Sequence, residues 1–196
     1  MDNQVRHRLT TRPPQFLDAA RRAFHRRLTT GPRAAAGDVP MVAGDGSLLG
    51  PFAVMAVAPG VGDAVQELGA TIRYATRMEP ATREAAILLV AAHHGSAFEW
   101  SAHEPPARRL GFDDGVLDAL RVGGVPDGLP EQARQAVPAV TAMLRSGRVD
   151  DAEYERVADG LGEEVLAELV WLTGYYSMLA LALAVFAPPV GKGTEG

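Results

Sequence analysis

The chain contains no cysteine. Disulfide staples and any chemistry that needs a thiolate are thereby excluded, and the lack is compatible with a cytoplasmic location, the expectation here, without establishing it. Aromatic residues make up only 6 %, and runs of alternating Val, Ile, Thr and aromatics between tight turns do not occur, so there is little from which to build a sheet. Lysine is almost wholly replaced by arginine, which reflects composition more than function. There is no P-loop, no G-x-G-x-x-G after a strand and no G-x-S-x-G elbow, so nucleotide-dependent chemistry is not expected. The polar start lacks the apolar core of a secretory signal.

What is present is a chain of 196 residues, 47 % hydrophobic, with a formal net charge of −5. That length suits one domain with a sizeable core, and the acidic balance argues against a nucleic-acid partner. The charge is uneven. Arg6, Arg8, Arg12, Arg21, Arg22, Arg26, Arg27 and Arg33 face only Asp2 and Asp18 in the first 33 residues. We read this as a solvated helix face docking on an acidic neighbouring subunit rather than an anion-binding arm for lipid or nucleic acid. The run from Leu169 to Ala187 carries no charge and is long enough to span a bilayer. Thr173, Gly174, Tyr175, Tyr176 and Ser177 interrupt it and no basic residue flanks its start, so a central bundle helix or a subunit-interface helix is expected, and no membrane partner.

Helical periodicity runs through the whole chain. The spacing predicts helices over 14–28, 61–78, from Pro80 to a break at Gly95, from there to Gly111, then 113–121, 131–145, 151–159 and 163–186. Pro105 and Pro106 are expected to bend or restart the helix just past His103. The connection 29–51 is too long for a simple linker, so it is mobile or a pocket wall. The expected division is a basic arm with one helix over 1–39, a helical domain over 40–190 and a disordered tail over 191–196.

One stretch carries chemistry. Glu84, Ile87, Leu88 and Ala91 follow the i, i+3, i+4, i+7 rule, which puts Glu84 on the apolar face of its helix. Ser96, Glu99 and His103 form a stripe on the next helix. A carboxylate facing a core must be paired, and His103 or Ser96 can pair it. Ser96 and Glu99 also read as a capping box, which leaves His103 and Glu84 unexplained. At a helix N-terminus Glu99 is expected ionised, as acceptor or base. His103 suits a proton donor near neutral pH, or is a core histidine tucked under Trp100. Glu84 pairs near Arg83, orients His103 or moves a proton, and the orienting role fits best. Glu84, Glu99 and His103, with His94, also count as metal ligands, but the paired E-x-x-H repeats of a di-metal bundle are missing and no metal is expected.

Arg83-Glu84-x-Ala86-Ile87-Leu88, followed ten residues later by Phe98-Glu99-Trp100-x-x-His103, resembles the carboxymuconolactone decarboxylase family, relatives of the alkyl hydroperoxidase AhpD. AhpD-type members carry a Glu, then C-x-x-C, then a His four residues after the second Cys. The Glu falls on Glu84, the cysteines on Ser96 and Glu99, and the His on His103. Without cysteine, thiol peroxidase chemistry is excluded, and the E-W-x-x-H version resembles the decarboxylase branch. Asp45 to Phe52 with Pro59 resembles the family's entry loop, and Gly174 to Met178 its late apolar helix, so the likeness covers residues 40–190.

The resemblance implies an all-α, AhpD-like bundle of about seven or eight helices, a homo-oligomer (dimer, trimer or hexamer) and a small-molecule substrate handled without metal or organic cofactor. It implies decarboxylation of a small carboxylated lactone, with His103 as acid, Glu99 handling the partner proton or positioning substrate, and Glu84 orienting the imidazole. Ser96, Trp100 and Arg73 are the expected substrate-side residues, with Arg77 an alternative to Arg73 as carboxylate anchor. Isomerisation, dehydration or cyclisation in a specialised pathway, and a non-catalytic ligand-binding or scaffold role, stay open beside it.

Overall fold

The computed structural model describes residues 7–31, 34 and 40–190. The expected disordered tail, part of the 29–51 connection, Asp2, Arg6 and Arg33 lie outside the described residues. The protein is all-α. Among the described residues it has a 3₁₀ turn, Pro14–Phe16, and nine α-helices: α1 Ala19–Thr30, α2 Gly50–Met55, α3 Pro59–Tyr74, α4 Pro80–His93, α5 Ala97–Arg109, α6 Asp114–Arg121, α7 Glu131–Ser146, α8 Asp151–Leu161 and α9 Glu163–Phe186. The only strand-like pairing among them is an isolated antiparallel bridge between Val42 and Leu48.

Local chemistry sets most of the boundaries. Asp18, Asp113 and Asp150 accept the N–H of the third residue of α1, α6 and α8, satisfying a donor that the first turn leaves without a helical partner. Asp18 therefore begins α1 after the 3₁₀ turn, where the spacing had predicted one helix from Pro14. Pro80 occupies the first turn of α4, where its missing N–H costs nothing. α5 does not stop at its prolines. Pro105 and Pro106 lie inside it and the helix continues to Arg109, because proline's φ is helical and the two ladder bonds lost fall near the end of the element.

The chain divides into two compact units, Met1–Thr71 with Leu181–Gly196, and Ile72–Ala180. In the first, Phe24 and Leu28 of α1 are buried, as are Leu48, Leu49, Phe52, Ala53 and Met55. His25 bonds the Gly46 carbonyl, Arg27 pairs with Asp63, and the Gly50 N–H donates to the Pro189 carbonyl. Of the arginines in the basic arm, Arg21 and Arg27 thus pair with Asp18 and Asp63 of their own chain.

The second unit is organised around α4, which packs against α5, α6 and α7, with α7 against α8. Ten of the 14 residues of α4 are buried, so this helix is a core rod rather than a one-sided surface helix. Ala139, Val157 and Leu166 close a cluster of α7, α8 and α9. α9 is 24 residues long and apolar enough to cross a membrane by length and composition. Leu169, Leu172, Tyr175, Tyr176 and Leu179 make one buried face along it.

Candidate active site

The site begins with a helix reversal. α4 ends at His93, Gly95 takes φ +62°, and the Ser96 N–H returns to the Ala91 carbonyl at 2.8 Å. Only glycine enters the left-handed region without a Cβ penalty, so Gly95 permits the tight return. Ser96 then caps α5, its hydroxyl accepting from the Glu99 N–H at 3.5 Å. The reversal sets α5 against α4, and Glu84 on the apolar face of α4 meets the Ser96, Glu99 and His103 stripe of α5.

They meet at His103. Its Nδ1 lies 2.7 Å from Glu84 Oε2, and its Nε2 lies 3.7 Å from Glu99 Oε2. Glu84, Glu99 and His103 are 2 %, 3 % and 2 % exposed. The imidazole thus stands between two carboxylates, bonded to one and within a short movement of the other. Arg73 Nη1 reaches Glu84 Oε1 at 3.9 Å and the Tyr176 hydroxyl at 3.5 Å, and Arg83 Nε is also 3.9 Å from Glu84 Oε1. The Tyr176 ring meets His103 edge to face, with centroids 5.3 Å apart.

The electrostatics follow. Burial pushes Glu84 up, but the His103 hydrogen bond and the charges of His103, Arg73 and Arg83 outweigh it, leaving the carboxyl below its ordinary 4.5. Glu84 is therefore ionised at neutral pH and only accepts, so Nδ1 of His103 carries a hydrogen and Nε2 is the nitrogen left to exchange a proton. Burial works against the charge of Arg73, yet the Tyr176 oxygen and Glu84 reverse that and hold the guanidinium above its ordinary value. Burial raises Tyr176 above the usual phenol range despite Arg73, so Tyr176 is neutral and offers Arg73 a lone pair, while Glu84 supplies the charge.

The structure brings together Glu84, Glu99, His103 and Arg73 from the sequence-predicted set. Ser96 acts as the cap of α5. Trp100 faces other partners: its indole N–H donates to Glu104 at 2.7 Å and Arg121 stacks on its ring at 3.9 Å. Arg77 pairs with exposed Glu164 instead of entering the site. Tyr176 was missed. Its only signal was its place among Thr173, Tyr175 and Ser177 in a largely apolar run, and its contact with Arg73 spans 103 residues. Among the described residues, a cleft of about 310 Å³ lies beside Met143, Tyr154 and Leu166 and another of about 170 Å³ beside His93, Arg121 and Arg145, and the trio lines neither of these.

No protein-family model and no curated protein matches the chain. Solved structures do. The crystal structure of the alkylhydroperoxidase AhpD core of an uncharacterized peroxidase-related protein from Ralstonia eutropha JMP134 superposes with a TM-score of 0.73 at 14 % identity, covering 96 % of this chain and 94 % of that one. The fold is AhpD-like. The debrominase Bmp8 in its apo form gives a TM-score of 0.70 at 16 % identity over 95 % of this chain and 94 % of its own. A variant of Bmp8 in complex with 2,3,4-tribromopyrrole gives 0.65 at 16 % identity, with 83 % and 84 % covered. At these identities the likeness establishes the AhpD-like fold alone, and that fold houses at least one enzyme among its members.

Proposed function

We propose that this AhpD-like protein is a cofactor-independent carbon–carbon lyase that decarboxylates a small carboxylated lactone or similar unsaturated acid. The observation that carries the reading is the bracketing of His103, 2.7 Å from Glu84 on Nδ1 and 3.7 Å from Glu99 on Nε2, in a region closed to water. An imidazole with its tautomer fixed on one side and a second proton site on the other is a proton relay, and general acids of this kind contribute about 10²–10⁴ in rate.

In the proposed reaction the substrate's C–COO⁻ bond breaks, CO₂ leaves, and the electron pair passes into the ring carbonyl as a dienolate. Nε2 of His103 delivers a proton to carbon, and Glu99 returns one from solvent to the imidazole. Burial strengthens each of these electrostatic contacts. Arg73 provides the positive field that draws in a substrate carboxylate and later balances the oxyanion. The ring bound by the debrominase is small and unsaturated, as is the substrate class proposed here. Thiol peroxidase chemistry is excluded, since there is no cysteine. The homo-oligomer remains part of the proposal, supported by Val170, Trp171 and Met178, which α9 leaves exposed. Sedimentation of Trp171→Glu against the parent chain tests it.

The near-complete burial of the trio favours a second reading, a structural polar network in a scaffold protein. Incubation with a panel of carboxylated lactones, following CO₂ and ultraviolet absorbance, separates the two. Turnover with CO₂ supports the lyase. Turnover without CO₂ points to isomerisation, dehydration or cyclisation, and no turnover across the panel supports the scaffold.

A further inference from the structure

One hydrogen bond does not hold an imidazole in place. The bond from Nδ1 of His103 to Glu84 Oε2 fixes the tautomer and one corner of the ring, but leaves the ring free to tilt about that corner. Nε2 lies on the far side of the ring, so a tilt moves it most. Glu99 does not prevent the tilt, because its Oε2 stands 3.7 Å from Nε2, beyond hydrogen-bond length. Another side chain has to set the plane of the ring.

That contact comes from α9. The Tyr176 ring meets the imidazole at 89°, with centroids 5.3 Å apart, an edge-to-face packing that resists rotation of either ring. Tyr176 is 3 % exposed and is itself held from two further directions. The Tyr175 ring packs on it at 84° with centroids 5.2 Å apart, and its hydroxyl meets Arg73 Nη1 at 3.5 Å. Thr173, also on the buried face of α9, returns its hydroxyl to the Leu169 carbonyl and so needs nothing outside the helix. A phenol hydroxyl stands too far from its own backbone for that. Burying it costs free energy unless another element supplies a partner. The partner is Arg73, which also reaches Glu84, the carboxylate bonded to His103. One side chain thus touches the imidazole with its ring and, through its hydroxyl, the cation beside the imidazole's anchor.

We propose that Tyr176 is a positioning residue for His103: its ring holds the imidazole plane so that Nε2 stays aimed at Glu99, and the Arg73 contact keeps the phenol ring in that place. The consequence for turnover rests on His103 acting as the proton relay of a lyase, since a donor misplaced by about 1 Å loses about 10²-fold in rate. Tyr176 acts on that rate only through the imidazole, as the supporting partners of a histidine ligand do.

The test reads the imidazole nitrogens of His103 by NMR in the resting full chain, the signals being identified among the five histidines by their loss in His103→Gln. The parent shows one tautomer, with a slowly exchanging hydrogen on Nδ1. Tyr176→Leu shows both tautomers, or exchange of that hydrogen roughly tenfold faster, whereas Tyr176→Phe, which keeps the ring, keeps the single tautomer. Leu169→Ala, a buried truncation on the same helix, leaves the His103 signals at their parent positions, which separates positioning from loss of packing. Where Tyr176→Leu does not fold, Tyr176→Met, which fills the space more fully, is read in the same way. Both tautomers in the parent, parent-like signals in the folded Leu or Met variant, or an equal disturbance in Leu169→Ala overturns the proposal. On a lactone that the parent turns over, Tyr176→Leu lowers kcat about 10²-fold with KM within about threefold, and an unchanged kcat also overturns it. A parent that releases no CO₂ contradicts the lyase reading alone, because the NMR signals do not depend on turnover.

Discussion

Glu84 Oε2 and His103 Nδ1 lie 2.7 Å apart across a separation of 19 residues that contains the helix break at Gly95. The contact joins two helices and fixes which imidazole nitrogen is free. Both partners are buried, so the bond is shielded from water and from salt.

Glu84 ties stability to acid. Its carboxyl sits below its ordinary 4.5 in the folded state, so its stabilising contribution is complete above that value and is lost as pH falls through the folded value. Glu84→Gln leaves Arg73 and Arg83 without their carboxylate and costs about 3–5 kcal/mol at neutral pH. The deficit against the parent chain narrows as pH falls below 4.5 and the parent's own Glu84 takes up a proton. Urea unfolding of both proteins from pH 7 down to pH 3 measures this. A deficit constant over the whole range contradicts it.

Glu99 stands 3.7 Å from Nε2 and is assigned the return proton. Glu99→Gln keeps the shape and removes the proton site, so turnover falls about 10²-fold with little change in KM. Steady-state kinetics on the substrate found in the lactone panel give the split, and an unchanged kcat removes Glu99 from the relay.

Tyr176 joins the site through its hydroxyl to Arg73 and its ring to His103. Tyr176→Phe keeps the ring contact and removes a long hydrogen bond, so it costs about 1 kcal/mol, far less than Glu84→Gln. Denaturant midpoints at constant slope compare the two.

Gly62 marks a close backbone approach in the first unit, because a Cβ there would collide with the Met55 carbonyl. A carbonyl oxygen cannot swing aside as a side chain can, so Gly62→Ala costs about 1–3 kcal/mol although alanine is the better helix former. Thermal unfolding of the variant gives the sign, and a raised Tm contradicts the close approach.

Much of this was legible because the signals are local. The span Glu163–Phe186 read from the sequence is the helix found, since Gly162 and the apolar run bound it sharply. Asp113 and Ser96 announced their caps, and Glu84 announced itself as a carboxylate on an apolar face whose cost demands a partner. α2 escaped because six residues hold less than two turns of periodicity. Pro105 and Pro106 do not restart the helix, because proximity to the helix end made them cheaper than proline in a helix interior. Arg73 was named without a register that could be fixed. Tyr176 could not be paired with it, since such a contact arises only when distant helices pack. The trio's residues were readable, but the depth of their burial was not.

The central claim is that Nε2 of His103 gives a proton to carbon, and heavy water tests it most directly. The parent chain and a folded His103→Gln variant are incubated in D₂O with the carboxylated lactone panel, following CO₂ release and deuterium at the former carboxyl-bearing carbon. The account predicts that the parent releases CO₂ and fixes deuterium there, while the variant loses about 99 % or more of that turnover. Full turnover by the variant, or no CO₂ from the parent on any lactone, contradicts it.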